Sequence, residues 1–255
     1  MLQLKNLYNK SLVKAVIEKV LGHMKEMGNF IPDRNWILSI LLPNAKVSIL
    51  DIGPNVYLFT KLLPQAQFSD YSYVAMDVVK RYDNDGVKQI LHDANICPYP
   101  FENDSFDIII ASDVIEHIKE TDIFLSEVSR VLKPNGVFFC TTPNYASFFC
   151  IVKVLLGKMF HNPLGKEVER YCYKEHVKFF THKDLIPYLR QFGLQTNTII
   201  SHDLKTDIDY VLKNGIKGRI LMFFFNLISR ISFRFSPEIV LVASKSVSKI
   251  KYIKV

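Results

Sequence analysis

Three aspartates, each set beside small or turn-forming residues, are the groups in this chain best suited to recognising a polar ligand. Asp51 stands in Leu50-Asp51-Ile52-Gly53, Asp77 closes Val74-Ala75-Met76-Asp77, and Asp93 is followed by Ala94. A carboxylate presents two acceptor oxygens, so Asp77 suits the two adjacent hydroxyls of a ribose. Asp93 suits an exocyclic amine such as that of adenine. Gly53 lets backbone approach a ligand closely, and the helix expected after it would offer free N–H donors. Ser112-Asp113 follows a further apolar run and would open onto the same place. For proton transfer the candidates are His117 and His176. His117 directly follows Glu116 and lies four residues beyond Asp113, which also invites a metal reading. Against that, Asp113 and Glu116 resemble an N-cap and its N3 partner opening a short helix, which would make His117 structural. No metal site is expected.

These residues are useful together only if the fold brings them to one edge. Val47–Ile52, Tyr73–Met76, Gln89–His92, Phe106–Ala111 and Val137–Cys140 read as short, nearly continuous apolar strands, as in a parallel sheet covered on both faces. Further strands are expected at Leu194–Ile200 and Ile239–Ala243. Between them, Thr121–Leu132 has Phe124, Val128, Val131 and Leu132 on one helical face, and Lys133-Pro134-Asn135-Gly136 would end it in a turn. Thr181–Phe192 opens with a capping-box pattern, Thr181 to Asp184, and stops at Gly193. Earlier helices are expected at Ser11–Met27 and Asn35–Leu42, the latter stopping at Pro43. Alternating strands and helices imply a doubly wound α/β sheet, in which ligands bind outside the carboxyl ends of the strands.

The runs ILDIGPN, VAMD, HDANICPYPFENDSFDIIIASDVIEHI and EVSRVLKPNGVFFCTTPN, in that order, resemble the class I S-adenosylmethionine-dependent methyltransferases, closest to those acting on small molecules, quinones and glycans. The resemblance covers about Val47 to Asn144, and EHVKFFTHKDLIPYLRQFGL continues it as in glycan-modifying members. It implies a Rossmann-like α/β fold with a mostly parallel seven-stranded sheet and S-adenosyl-L-methionine as cofactor. By the same resemblance Asp51 and Gly53 would line the methionine end of the cofactor. Asp77 would hold its ribose, Asp93 and Ala94 its adenine, and Ser112 its amino-acid part. The family's loop D-x-G-x-G-x-G is here Asp51-Ile52-Gly53-Pro54-Asn55-Val56-Tyr57, keeping only the first glycine. Asn55 tolerates left-handed backbone, and Pro54 lacks an N–H but suits a first helical turn. Tyr57 would crowd the carboxylate pocket. Two other classes follow from that loop: a non-catalytic protein of the same fold, or an NAD(P)-dependent reductase, which the missing glycines disfavour.

Composition frames the rest. The chain has 255 residues, 49% hydrophobic and 22% charged, and a formal net charge of +7. That is an ordinary globular balance with a basic surface. Cys97, Cys140, Cys150 and Cys172 form no C-x-x-C pair, which suits a reduced, cytoplasmic protein. The expected organisation is an N-terminal helical extension over 1–44 and a methyltransferase domain over 45–255. Within it, 145–175 would be a substrate lid and 218–235 an apolar helix carrying Arg219, Arg230 and Arg234. With the lysines at 245, 249, 251 and 254, that helix suggests peripheral contact with an anionic membrane on its inner face. The expected acceptor is a small molecule or a glycan- or lipid-linked hydroxyl, and no nucleic-acid partner is expected.

Overall fold

A computed structural model describes residues 47–54, 71–80, 88–157, 176–200, 215–216, 223, 235–236 and 238–245. Its strands are β1 (Val47–Ile52), β2 (Tyr71–Asp77), β3 (Lys88–Leu91), β4 (Phe106–Ser112), β5 (Leu132–Pro143), β6 (Leu194–Ile200) and β7 (Glu238–Lys245). The helices used below are α1 (Thr121–Val131), α2 (Phe148–Leu155) and α3 (His182–Gln191), with a single 3-10 turn at Ile115–His117. One seven-stranded sheet has the order β3-β2-β1-β4-β5-β7-β6. β1 to β5 are parallel where they pair, and β7 runs antiparallel to both β5 and β6. The expected mostly parallel α/β sheet is therefore observed.

The apolar runs become strands because both of their faces are covered. Ile108, Ile109, Ile110 and Ala111 of β4 are 0% exposed, as are Ile49 and Leu50 of β1. β-Branched residues with restricted side-chain torsions favour this extended, doubly packed setting. α1 presents Phe124, Leu125, Val128 and Val131 to the core, each fully buried and each contributing about 1.5–3 kcal/mol by leaving water. Phe124→Ala would cost about 3–5 kcal/mol through the cavity it leaves.

The loop before β4 is fastened to α1 by one half-buried pair. Glu127 accepts from the Tyr99 N–H at 2.6 Å, while Arg130 Nε and Nη2 grip its two oxygens at 2.8 and 2.7 Å. The same guanidinium donates to the carbonyls of Phe101 and Tyr99 and to Asn103 Oδ1. The Tyr99 hydroxyl donates in turn to the Ala94 carbonyl at 3.0 Å. Residues 94–103 are thereby set as a rigid shelf behind the carboxyl end of β3.

Two local expectations change. Lys133 to Gly136 does not separate helix from strand, because β5 begins at Leu132. Phe106 pairs with Leu132 while Ile108 pairs with Val137, so β5 carries a bulge there, with Asn135 at φ +59°. Gly136 is required at that bulge, since a Cβ would come within 2.7 Å of Leu132 Cδ1 and 2.8 Å of the Lys133 carbonyl. Thr181 does precede α3, but it makes no side-chain cap; its hydroxyl donates to Asp184 Oδ2 at 2.6 Å instead.

The N-terminal extension expected over 1–44 and the two helices expected in it fall outside the described residues, as do Asn55, Tyr57 and Cys172. Of the expected lid 145–175 only residues 145–157 are described, and of the expected apolar helix 218–235 only 223 and 235. The basic lysines beyond Lys245 are likewise outside them. Among the described residues, no helix is long and apolar enough to cross a membrane.

Candidate functional site

The strand order reverses between β1 and β4, so the crevice outside their carboxyl ends is the natural ligand site of this sheet. Asp51 is wholly buried near the end of β1, and the Tyr73 hydroxyl donates to its Oδ2 at 2.7 Å. The bond crosses from β2 and fixes the carboxylate's orientation. Gly53 follows with φ +60°, its N–H bonded to the Met76 carbonyl at 2.8 Å. A Cβ at this position would lie 2.8 Å from Val114 Cγ2. The glycine thus lets the chain after β1 pass close beneath the chain after β4.

Asp77 ends β2 and is 7% exposed; its Oδ1 accepts from the Val79 N–H at 3.1 Å. Asp93 lies next to it in space, because β3 pairs with β2 and the His92 N–H bonds the Asp77 carbonyl at 3.0 Å. Asp93 Oδ1 accepts from the backbone and side-chain nitrogens of Asn95 at 2.9 and 2.8 Å. Each aspartate therefore stabilises its own turn. A carboxylate has about four acceptor positions, so a turn bond is compatible with a further ligand contact. Asn95 also accepts from the Lys119 and Glu120 N–H groups, tying this corner to the start of α1.

At the end of β4, Ser112 Oγ lies 2.9 Å from Thr141 Oγ1. The single Thr141 hydroxyl proton goes to Asp113 Oδ1 at 3.0 Å. Thr141 must then accept from Ser112, so the Ser112 hydroxyl proton is committed and its oxygen keeps acceptor capacity only. That polarity suits a cationic amine. Asp113 does not act as an N-cap: it has φ +53°, and the 3-10 turn after it has Val114 at its cap with no side-chain hydrogen bond.

That turn holds a second group of residues. Glu116 is wholly buried, with Oε2 accepting from the Thr142 hydroxyl at 3.0 Å and Oε1 without a hydrogen-bond partner. Burial pushes its carboxyl up to about 8, and the charges of Asp113 and Glu238 push the same way against the Thr142 bond. Its carbonyl accepts from the N–H groups of Val177 and Lys178 at 2.8 and 3.1 Å, which brings His176 to the turn. The rings of His117 and His176 meet edge to face with centroids 4.8 Å apart. Tyr145, just after β5, bonds His176 Nδ1 through its hydroxyl at 2.5 Å. His117 and His176, distant in sequence, are thus neighbours beside the crevice. The sequence reading did not single out Tyr73, Thr141, Thr142 or Tyr145. The signal for three of them was present in TTPNY, the carboxyl end of the strand next to β4.

Comparison with known proteins gives the family of the chain. A family model described as a methyltransferase domain matches residues 22–199, well over half of the chain. A Mycolicibacterium smegmatis protein named as an S-adenosylmethionine-dependent methyltransferase is 41% identical over 54 residues, covering 21% of this chain and 21% of the relative. The human mitochondrial ubiquinone biosynthesis O-methyltransferase is 30% identical over 97 residues, covering 38% of this chain and 25% of its own length. The matches thus span about a fifth to a quarter of these two curated relatives. Among solved structures, the methyltransferase bound to the Trm112 activator from Haloferax volcanii superposes with a TM-score of 0.57 at 18% identity. That superposition covers 91% of this chain and 97% of the archaeal one.

Proposed function

The chain belongs to the class I S-adenosylmethionine-dependent methyltransferases, and from that premise we propose that it methylates a hydroxyl on a small-molecule, sugar or lipid-linked acceptor. One observation carries the reading. The ends of β1, β2 and β3 deliver Asp51, Asp77 and Asp93 in order along one edge, with an acceptor-only Ser112 on β4 beside them. That is a row of acceptors for an amine, two ribose hydroxyls and an adenine amine. In this assignment Ser112 and the chain at Asp51–Gly53 take the amino-acid end, Asp77 the ribose, and Asp93 with Ala94 the adenine. Asp51, held by Tyr73, sets the shape and charge of the floor.

S-adenosylmethionine supplies an electrophilic methyl on its sulfonium when bound. The acceptor oxygen forms the new C–O bond as the C–S bond breaks, and the hydroxyl proton must depart. Orientation supplies much of the rate of such an in-line displacement. A hydroxyl is a poor nucleophile until its proton is drawn off, and His117 and His176 are the groups beside the crevice that promote this loss. The Tyr145 hydroxyl fixes the His176 ring. Support for a hydroxyl acceptor also comes from the name of the human relative, an O-methyltransferase.

Calorimetric titration of the purified protein with S-adenosylmethionine and its demethylated product tests the reading. Micromolar binding is expected, lost in Asp77→Ala while the circular dichroism spectrum is kept. Unchanged affinity in Asp77→Ala removes the ribose assignment. No binding of either compound by the native chain points to a non-catalytic protein of this fold, and binding of NADH in their place to a reductase.

A further inference from the structure

Asp113 holds a backbone conformation that most side chains adopt only at a cost. Its φ is +53°, in the left-handed region, and it stands directly after β4 at the crevice. Asp and Asn tolerate that region better than other side chains, and glycine adopts it freely. Strain of this kind persists where surrounding contacts fix it, and it gathers at functional sites. Thr141, on the neighbouring strand β5, fixes Asp113 three times over. The Asp113 N–H donates to the Thr141 carbonyl at 3.0 Å and to its hydroxyl oxygen at 3.1 Å. The Thr141 hydroxyl donates in turn to Asp113 Oδ1 at 3.0 Å.

The result is a carboxylate held in a fixed place yet open to the crevice: Asp113 is exposed, whereas Val114, Ile115 and Glu116 after it are buried. It sits between two regions with assigned roles. On one side is Ser112, linked to it through Thr141 Oγ1 by bonds of 2.9 and 3.0 Å and assigned to the amino-acid end of the cofactor. On the other is the 3-10 turn with His117, assigned to the acceptor's proton. The charge of Asp113 is felt at that turn, where it adds to the burial that pushes the Glu116 carboxyl up to about 8. In S-adenosylmethionine the sulfonium is bonded to the amino-acid chain and carries the methyl that faces the acceptor. A group placed between Ser112 and His117 is therefore placed at the sulfonium.

We propose that the Asp113 carboxylate faces the sulfonium and makes the crevice favour S-adenosylmethionine over its demethylated product. The inference rests on the methyl-transfer reading. Before transfer, carboxylate and sulfonium attract one another, and the attraction strengthens as water is displaced. On transfer the C–S bond breaks, its electron pair stays on sulfur, and the sulfur becomes a neutral thioether. The acceptor oxygen gains the methyl, and its proton goes to His117 or His176. The attraction ends with the transfer, so the product is held less tightly than the donor and leaves more readily.

The test is calorimetric titration of the full chain, native and as Asp113→Asn and Asp113→Gly, with S-adenosylmethionine and with its demethylated product. Asp113→Asn keeps the size, the tolerance of left-handed backbone and an acceptor for the Thr141 hydroxyl, and removes only the charge. It should weaken S-adenosylmethionine binding about 5–10-fold and leave the affinity for the product unchanged within about 2-fold. Added salt should shrink the preference of the native chain and not that of the variant. Asp113→Gly, relieved of the strained backbone, should lose the same preference with its unfolding temperature little changed. A ratio of the two affinities that stays native in both variants overturns the proposal and leaves Asp113 a turn residue. An equal loss for both compounds overturns it as well, because it reports altered shape and not charge. Failure of the native chain to bind either compound overturns the methyl-transfer reading, and this inference with it.

Discussion

Glu127 and Glu116 are both buried glutamates of one short stretch of chain, and their surroundings drive them apart. Glu127 is 7% exposed and gripped through both oxygens by Arg130, whose hydrogen bonds hold its carboxyl below the ordinary range. Glu116 is 0% exposed, accepts from the neutral Thr142 hydroxyl with no cation in contact with it among the described residues, and is pushed up to about 8 by burial. The first is a carboxylate completed by its own fold, fastening residues 99–103 to α1. The second is left incomplete at the mouth of the crevice, beside two imidazoles. Perturbation of this second kind, in a cleft and among other titratable groups, is the pattern of a functional site.

The comparison can be broken or sharpened by experiment. The largest effect is expected from Arg130→Met, which strands the Glu127 charge and releases the shelf of residues 99–103. A loss of about 2–3 kcal/mol is expected, below the about 3–5 kcal/mol of a fully buried pair because the guanidinium is partly exposed. It would be read as a lower urea midpoint at unchanged slope. An unshifted midpoint would mean that the pair completes nothing.

The pH dependence of stability comes next, measured in chelator. Glu116 has its folded value raised from 4.5 to about 8, so between these values the folded chain holds a proton that the unfolded chain has released. Stability then falls as pH rises through that window, with a limiting slope of about 1.4 kcal/mol per pH unit, and levels off above it. Glu127 has the opposite sign: its value is lowered in the folded state, so its contribution is present above 4.5 and is lost as pH falls through the folded value. Glu116→Gln should flatten the limb from 4.5 to about 8 and leave the acid limb in place. Identical curves for the two proteins would remove Glu116 from the account.

Smaller effects refine the crevice. Thr142→Val takes the one donor from Glu116 Oε2 and should cost about 1 kcal/mol at alkaline pH, where the carboxylate is charged, and less at pH 6. Ser112→Ala should weaken S-adenosylmethionine binding by roughly 5–10-fold, the worth of about 1 kcal/mol, with stability little changed. A larger loss on replacing Thr141 than Ser112 would show that the shared proton, not the serine oxygen, is what matters. Thr181→Ala, which removes only an exposed bond to Asp184, should move stability by less than about 0.5 kcal/mol.

The parts of the molecule legible in the sequence are those where local pattern and burial agree. β1 runs over Val47–Ile52 as its apolar run implies, β6 over Leu194–Ile200 as expected, and α1 begins at Thr121 as its apolar stripe implies. The strand-end aspartates were legible because a doubly wound sheet puts strand ends in one crevice. What stayed hidden depends on contacts between distant segments. Nothing in Asp113-Val114-Ile115-Glu116 distinguishes a capped helix from a left-handed Asp113 with an orphaned Glu116 beyond it; Thr141 and Thr142 decide that from another strand. The meeting of His117 with His176 likewise depends on backbone bonds to a carbonyl, to which side-chain patterns are blind. The bulge in β5 hides for a related reason: Pro134-Asn135-Gly136 reads as a turn locally, and only pairing with β4 carries it into a strand.

One further consequence lies in the position of β7. Its residues, 238–245, follow all the other strands in sequence, yet it sits inside the sheet between β5 and β6. On the ribosome, then, the sheet can be assembled only as far as β5, whose Val137–Thr142 edge is left with open N–H and C=O groups until β7 has been translated. β6 has meanwhile no strand to pair with, since β7 is its neighbour in the finished sheet. Such an apolar open edge is a template for pairing with another nascent chain. A chain lacking residues 238–245 would present the β5 edge that β7 covers, a setting that favours pairing with another chain.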